Sequence, residues 1–162
     1  MKHIAKITAL VLAFTAGSAS AQNANHVENA QGGASCAGCN LFQANFSYKD
    51  MPRRNFAKAR MRQSDLSLST MNYTNFSGAD LSISNLFGGR FTGANFKNSN
   101  MQKTILVGAH FDGADFTGAN LSGALISGSD FHNAKINQAQ LNTVCGDEYT
   151  VLPAGLSVTR CR

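Results

Sequence analysis

The sequence predicts an all-β chain wound as a repeat solenoid, and three regularities between Leu41 and Leu141 predict it. Stepping by five from Leu41, all 21 positions are Leu, Phe, Met or Ile, although these types supply only 35 of the 162 residues. Two positions earlier in each unit, 19 of 21 residues are Ala, Ser, Thr, Gly or Cys. The residue just before the large apolar one is often Asn or Asp. Helical and strand periods both fail over this stretch. A strand sandwich alternates with a period of two and cannot produce five.

Ala79-Asp80-Leu81-Ser82, Ala94-Asn95-Phe96, Ala114-Asp115-Phe116-Thr117-Gly118 and Ala119-Asn120-Leu121-Ser122-Gly123 carry the pattern most cleanly. In these units the chain resembles the pentapeptide-repeat proteins, over about residues 39–143. The resemblance implies a right-handed quadrilateral parallel β-helix with four five-residue units per coil, and therefore about five coils.

Physical reasoning supports that geometry. A square coil turns one large residue inward per side, and these stack into a dry core. The second inward position must be small, because the corner leaves little room beside a Leu or Phe. Backbone groups pair between coils at ~4.8 Å, so the rod is about 25 Å long. Eight of the eleven Phe sit at the central position, which predicts stacked rings along the axis.

Outside the repeat, residues 1–21 read as a signal peptide. Lys2, His3 and Lys6 form a basic start, Ile7–Phe14 an apolar stretch, and Ala19-Ser20-Ala21 a small-residue cleavage pattern. Cleavage there would leave 12 basic and 9 acidic residues, a net charge of +3. Residues 22–35 lack hydrophobic periodicity and read as a flexible leader. Residues 36–143 are assigned to the repeat with its N-terminal C-x-x-C cap, and 144–162 to a C-terminal cap. No run of eighteen apolar residues is present to span a membrane.

Export to the bacterial periplasm or beyond places the four Cys in an oxidising compartment, where disulfides are the first reading. Four Cys allow three pairings. On a rod of this kind Cys36 and Cys39 lie at one end and Cys145 and Cys161 at the other, too far apart to cross-pair. The expected bonds are Cys36–Cys39 and Cys145–Cys161. Between the latter two, Val151, Leu152, Leu156 and Val158 are expected to cover the last core layer. A thioredoxin-like role for C-x-x-C lacks its strand–helix unit, and a zinc role has only His26 nearby.

A twenty-residue coil stacks positions twenty apart. Arg60 then lies over Asp80, Asp112 over His132 and Asp115 over Lys135, as inter-coil ion pairs. Two surface features stand apart from the scaffold. Lys49, Arg53, Arg54, Lys58, Arg60 and Arg62 form a basic collar, with Asp50 the one acid among fourteen positions. Lys49 and Arg54 occupy small inward positions, so the first coil is distorted there or their side chains snorkel outward. Tyr48, Leu68, Phe87, Ile105, Val107 and Leu125 share one side as an apolar face. Either the chain ends fold back over that side or it meets a partner.

No catalytic, cofactor or metal constellation emerges. The expected function is a non-enzymatic secreted or periplasmic scaffold that binds a protein or an anionic envelope component, such as phospholipid headgroups or a polyanionic glycan. A second copy of the chain is one candidate partner. The alternatives are a structural self-associating rod and a C-x-x-C redox protein. The resemblance also suggests the gyrase-directed, DNA-like acidic rods of quinolone resistance, from which this basic, exported chain departs. Nucleic-acid binding is not expected, because the aromatic residues fall at core positions.

Overall fold

The computed structural model describes residues 23–161. The signal-peptide assignment to residues 1–21 therefore lies outside the described residues. Between Asn40 and Lys135 the backbone makes parallel bridges at an offset of twenty, from Asn40 with Arg60 to Asp115 with Lys135. Each twenty-residue circuit thus lies directly on the one before. Four sides can be followed along the rod. The first is centred on Leu41, Met61, Leu81, Met101 and Leu121, and the second on Phe46, Leu66, Leu86, Leu106 and Ile126. Met51, Met71, Phe91, Phe111 and Phe131 centre the third, and Phe56, Phe76, Phe96 and Phe116 the fourth. All of these side chains are buried.

From Leu41 to Phe131 every unit except that of Met51 is closed by a turn in which the amide three residues past the central residue donates back to its carbonyl, as in Ala44 to Leu41 at 3.0 Å. The third residue of that turn has positive φ, between 53° at Asn133 and 72° at Gly118 and Gly123. Gly fits there without strain, and the seven consecutive non-glycine residues from Gln43 to Tyr73 occupy it despite the Cβ clash.

The recurrent Asn or Asp before the central residue also has a specific task. Its side-chain oxygen accepts the amide two residues on, as Asn75 does from Ser77 at 3.0 Å. On the fourth side its Nδ2 also reaches down the rod: Asn75 donates to Asn55 at 3.2 Å and Asn95 to Asn75 at 3.2 Å. The small inward Ser residues donate to carbonyls, as Ser64 does to Leu41 and Ser84 to Met61. Their hydroxyls are therefore satisfied although buried.

The core is a set of ring stacks. Phe96 lies 5.1 Å from Phe76 and 5.0 Å from Phe116, with interplanar angles of 4° and 11°. Phe111 stacks 5.4 Å from Phe91 and 5.0 Å from Phe131. Across the core the two stacks meet edge to face, Phe111 to Phe116 at 5.3 Å and 75°.

The ends differ from the sequence reading. Residues 22–35, expected as a flexible leader, contain helix α1 (Ala24–Gln31). Asn23 caps it by accepting from His26 N, and Val27 and Ala30, three apart, turn to the core. Gln31 Nε2 donates to Asn45 O at 2.6 Å, and His26 Nδ1 accepts the Asn40 amide at 3.2 Å. Eight residues do not hold a helix alone, so docking on the open coil supplies the stability. At the other end the pattern of turns and bridges gives way after Lys135 to α2 (Gln138–Leu141), with an Asn137–Gln140 capping box. Gln140 Nε2 donates to the carbonyls of Phe116 and Ala119, closing that edge of the ladder.

Strands β1 (Cys145–Gly146) and β2 (Thr159–Arg160) then pair in parallel. Leu152, Leu156 and Val158 pack on the core as expected. Val151 is a correction: its side chain is exposed, and its backbone carbonyl instead receives the Phe131 amide at 2.8 Å. Both expected disulfides are present, with Cα separations of 5.4 Å for Cys36–Cys39 and 4.8 Å for Cys145–Cys161.

Of the expected ion pairs, Asp115 holds both Lys135 at 3.5 Å and Lys97 at 3.3 Å. Arg60 and Asp80 pair through their backbones. Asp112 is a correction, since its carboxylate accepts from Asn133 Nδ2 at 3.1 Å rather than meeting His132. Partial burial raises the Asp115 pKa, but the Thr117 hydroxyl and amide and the Lys97 ammonium outweigh it and lower the value to about 2.

Phe96→Ala is expected to lower unfolding stability by about 3–5 kcal/mol, read by denaturant titration, because the cavity opens between two stacked rings. Asp115 contributes stability that is complete above its unfolded pKa, near ~3.9, and is lost as pH falls toward 2. Asp115→Asn should therefore flatten the acid limb of a melting-temperature profile. A limb as steep as in the native protein would contradict that assignment.

Candidate functional site

The stacking of circuits converts sequence into four distinct exteriors. On each side three residues per unit face outward: the one before the central residue and the two after it. All six apolar residues singled out above lie on the second side. Tyr48 and Leu68 are two residues past its centre, Phe87 and Val107 one past, and Ile105 and Leu125 one before. Tyr48 is 76% exposed, and Leu68, Phe87, Ile105 and Leu125 are each between 40% and 46%, while Val107 is half-buried. Among the described residues the C-terminal segment meets this side at its last circuit. There Cys161 Sγ lies 3.7 Å from Ser127 Oγ, and Asp147 accepts the Gly128 amide at 2.9 Å. That amide, with the Thr150 hydroxyl and the Tyr149 amide, holds the Asp147 carboxyl below the usual carboxylate range.

The basic residues do not converge on one patch. Lys49 and Arg53 belong to the third side, Arg54 and Lys58 to the fourth, and Arg60 and Arg62 to the first. They ring the rod on the three sides other than the apolar one. Lys49 is exposed and its turn is intact, with its amide donating to Phe46 at 3.2 Å, so snorkelling and not distortion accommodates it. Arg54 is half-buried. Its amide reaches Thr74 Oγ1 at 3.4 Å, and its Nε has no hydrogen-bond partner among the described residues. The ladder continues past both, through Asp50 with Thr70 and Asn55 with Asn75. Arg53 lies over the Tyr73 ring of the next circuit at 5.6 Å from its centroid.

One concavity went unseen in the sequence. A groove of about 550 Å³ runs along the first side, between Arg62 and Lys103, with Asp80, Ile83, Asn100 and Gln102 along it. Residues Arg60 and Arg62 continue it toward Phe42 as a second hollow of about 320 Å³. Asp80 is committed inside it, accepting from Ser82 Oγ at 2.7 Å and Asn100 Nδ2 at 3.2 Å. The column of positions twenty apart, Arg62, Ser82, Gln102 and Ser122, was the available signal.

Cys36 and Cys39 are bonded to each other and buried, and His26 Nδ1 is engaged with the Asn40 amide. Among the described residues no group of three or more His, Cys, Asp or Glu is placed to hold a metal ion. No helix among them is long and apolar enough to cross a membrane.

Several comparisons bear on identity. The solved structures that the chain matches include the pentapeptide repeat protein Rfr23 from the cyanobacterium Cyanothece 51142. It is 22% identical, with 79% of this chain and 97% of that chain covered and a TM-score of 0.45. A pentapeptide repeat protein of the Arabidopsis thaliana thylakoid lumen is 27% identical, over 67% of this chain and 72% of its own, with a TM-score of 0.37. The plasmid-mediated fluoroquinolone resistance protein QnrB1, trypsin-treated, is 16% identical over 71% and 76% of the two chains, with a TM-score of 0.36. No curated protein matches the sequence. The family model for pentapeptide repeats matches in 8 copies, over residues 34–72, 55–88, 90–128 and 109–145. With those matches, the twenty-residue register and the four-sided core, the chain belongs to the pentapeptide-repeat family, whose members fold as right-handed quadrilateral β-helices.

Proposed function

We propose that the protein is an exported, non-enzymatic interaction scaffold, a rod of about five coils that presents its second side to another protein chain. The observation that supports this reading is the exposed apolar face of Tyr48, Leu68, Phe87, Ile105 and Leu125, spread over three columns of the one side free of the basic collar. Apolar side chains gathered on one side over several circuits leave water favourably only against another surface. The collar gives the remaining sides an attraction for anionic surfaces, whether headgroups, polyanionic glycan or acidic protein. The basic and apolar pattern of residues 2–21 and the two disulfides support export to the periplasm or beyond. A gyrase-directed role would call for an acidic rod in the cytosol, and this chain carries a net charge of +5.

Retention of the protein on immobilised envelope extract, followed across salt concentration, separates the two surfaces. Phe87→Asp is expected to abolish the apolar component at every salt concentration. Reversal of Arg53 and Lys58 to Glu should weaken retention at low salt and leave high salt unchanged. If Phe87→Asp retains the protein as well as the native side chain does, the second side is not the contact surface.

A further inference from the structure

We infer that the groove of the first side is a binding site for an acidic polysaccharide, a chain of linked uronate sugars lying along the rod. This rests on the reading of the protein as an exported scaffold that attracts anions, and it names the ligand class and the place of that attraction.

The groove has the shape for a linear polymer. Its main part, about 550 Å³, falls within the range of small-ligand sites. Phe42, Arg62, Ser82, Gln102 and Ser122, each twenty residues on from the last, line it and its continuation, so it follows the rod from circuit to circuit. Its floor is low because Ser82 is small and buried between Arg62 of the circuit before and Gln102 of the circuit after. Gly123 leaves the room in which the Lys103 stem lies, with Lys103 Cγ 3.4 Å from where a Gly123 Cβ would be.

The lining has the matching chemistry. On this side Arg60, Arg62 and Lys103 stand with a single acid, Asp80. The ion pairs among the described residues are made at Asp115 and Glu148 and take up neither Arg62 nor Lys103. These two cations are rooted two circuits apart, about 10 Å at the strand spacing. In a β-1,4-linked uronate chain each ring is flipped relative to the last. Every second carboxylate therefore points the same way, and two rings span a similar distance. Asp80 would repel a compact polyanion placed between the cations. It suits a chain that sets hydroxyl donors between its charges, with Asn100 and Gln102 as further polar partners. Ile83, 43% exposed, and the half-buried Phe42 offer apolar surface to the C–H faces of the rings.

Other anionic partners fit less well. An acidic peptide would gain most by adding a strand, but the amides of this side are already spent between circuits. Leu81 donates to Asn100 and Ile83 to Gln102, each at 2.8 Å. Bilayer headgroups form a plane and do not enter a concavity.

Isothermal titration calorimetry of the disulfide-intact protein with oligomannuronate, a β-1,4-linked uronate, tests the site. The native protein should bind, with an affinity that falls as salt rises. Arg62→Gln combined with Lys103→Gln should raise the dissociation constant at least about tenfold, as charge-assisted contacts are lost. The same charge change on the third and fourth sides, Arg53→Gln with Lys58→Gln, should leave it unchanged. All four side chains are exposed, so the melting temperature should hold in both double variants. Equal losses in the two would mean that net charge and not the groove holds the chain, and would overturn the inference. Neutral oligomannose or polyglutamate binding as tightly as oligomannuronate would overturn the uronate class. If polyglutamate alone binds, the groove assignment falls and the anion-attracting reading stands; if neither anion binds, both fall. Phe87→Asp should leave the titration unchanged, so the second side is judged separately.

Discussion

Everything in the rod depends on one left-handed residue every five positions. The turn it closes brings the chain round a corner after each side, so that the twentieth residue arrives above the first and the backbone can bond to itself between circuits. Once that step is set, the remaining requirements are steric. One large side chain fits inside per side, a small one fits beside the corner, and an Asn or Asp at the bridge position ties its own turn by accepting the amide two residues on. The geometry selects the residues and the residues hold the geometry, which is why the pattern persists without gaps through Phe131.

The inner columns were the legible part. Leu, Met and Phe at a five-residue step write the core directly into the sequence, and the two disulfides followed once the rod separated its ends. The left-handed turn position was not legible, because from Gln43 to Tyr73 it is filled by Gln, Tyr, Arg, Lys and Leu instead of glycine. Helix α1 was hidden for a different reason. Val27 and Ala30 are too few to mark a helical face, and the segment is helical because an open coil end lies beneath it. Val151 was misjudged because a residue that extends the ladder with its backbone need not bury its side chain. The groove of the first side is lined from successive circuits, by Arg62 and Lys103 among others, whose proximity appears only after the winding is known.

The two ends solve the same problem with different groups. A parallel ladder finishes at each end with a row of unpaired amides and carbonyls. At the start of the rod, the amides of Cys36 and Gly38 enter the ladder below Asn55 and Ala57, and Ser35 receives the Asn55 amide. At the far end, the Gln140 side-chain amide and the Asp147 carboxylate complete bonds that a further circuit would otherwise have made. Side chains thus stand in for backbone where the repeat stops. The Cys145–Cys161 bond fastens the segment that carries one of them.

The close fit of side chains over neighbouring circuits has a consequence for how such a chain can change in length. Leu68 lies over Gly88, Tyr73 over Gly93 and Asn98 over Gly118, each leaving no room for a Cβ above it. Duplicating one five-residue unit would leave every core position filled and every turn closed. It would also rotate all later residues by a quarter turn, so that the apolar face would be split between two sides and bulky residues would meet where glycine now makes room. Only a gain or loss of twenty residues keeps the phase. The interior repeats every five residues and the exterior every twenty, so the surface is the slower clock, and it restricts insertions and deletions far more tightly than the core does.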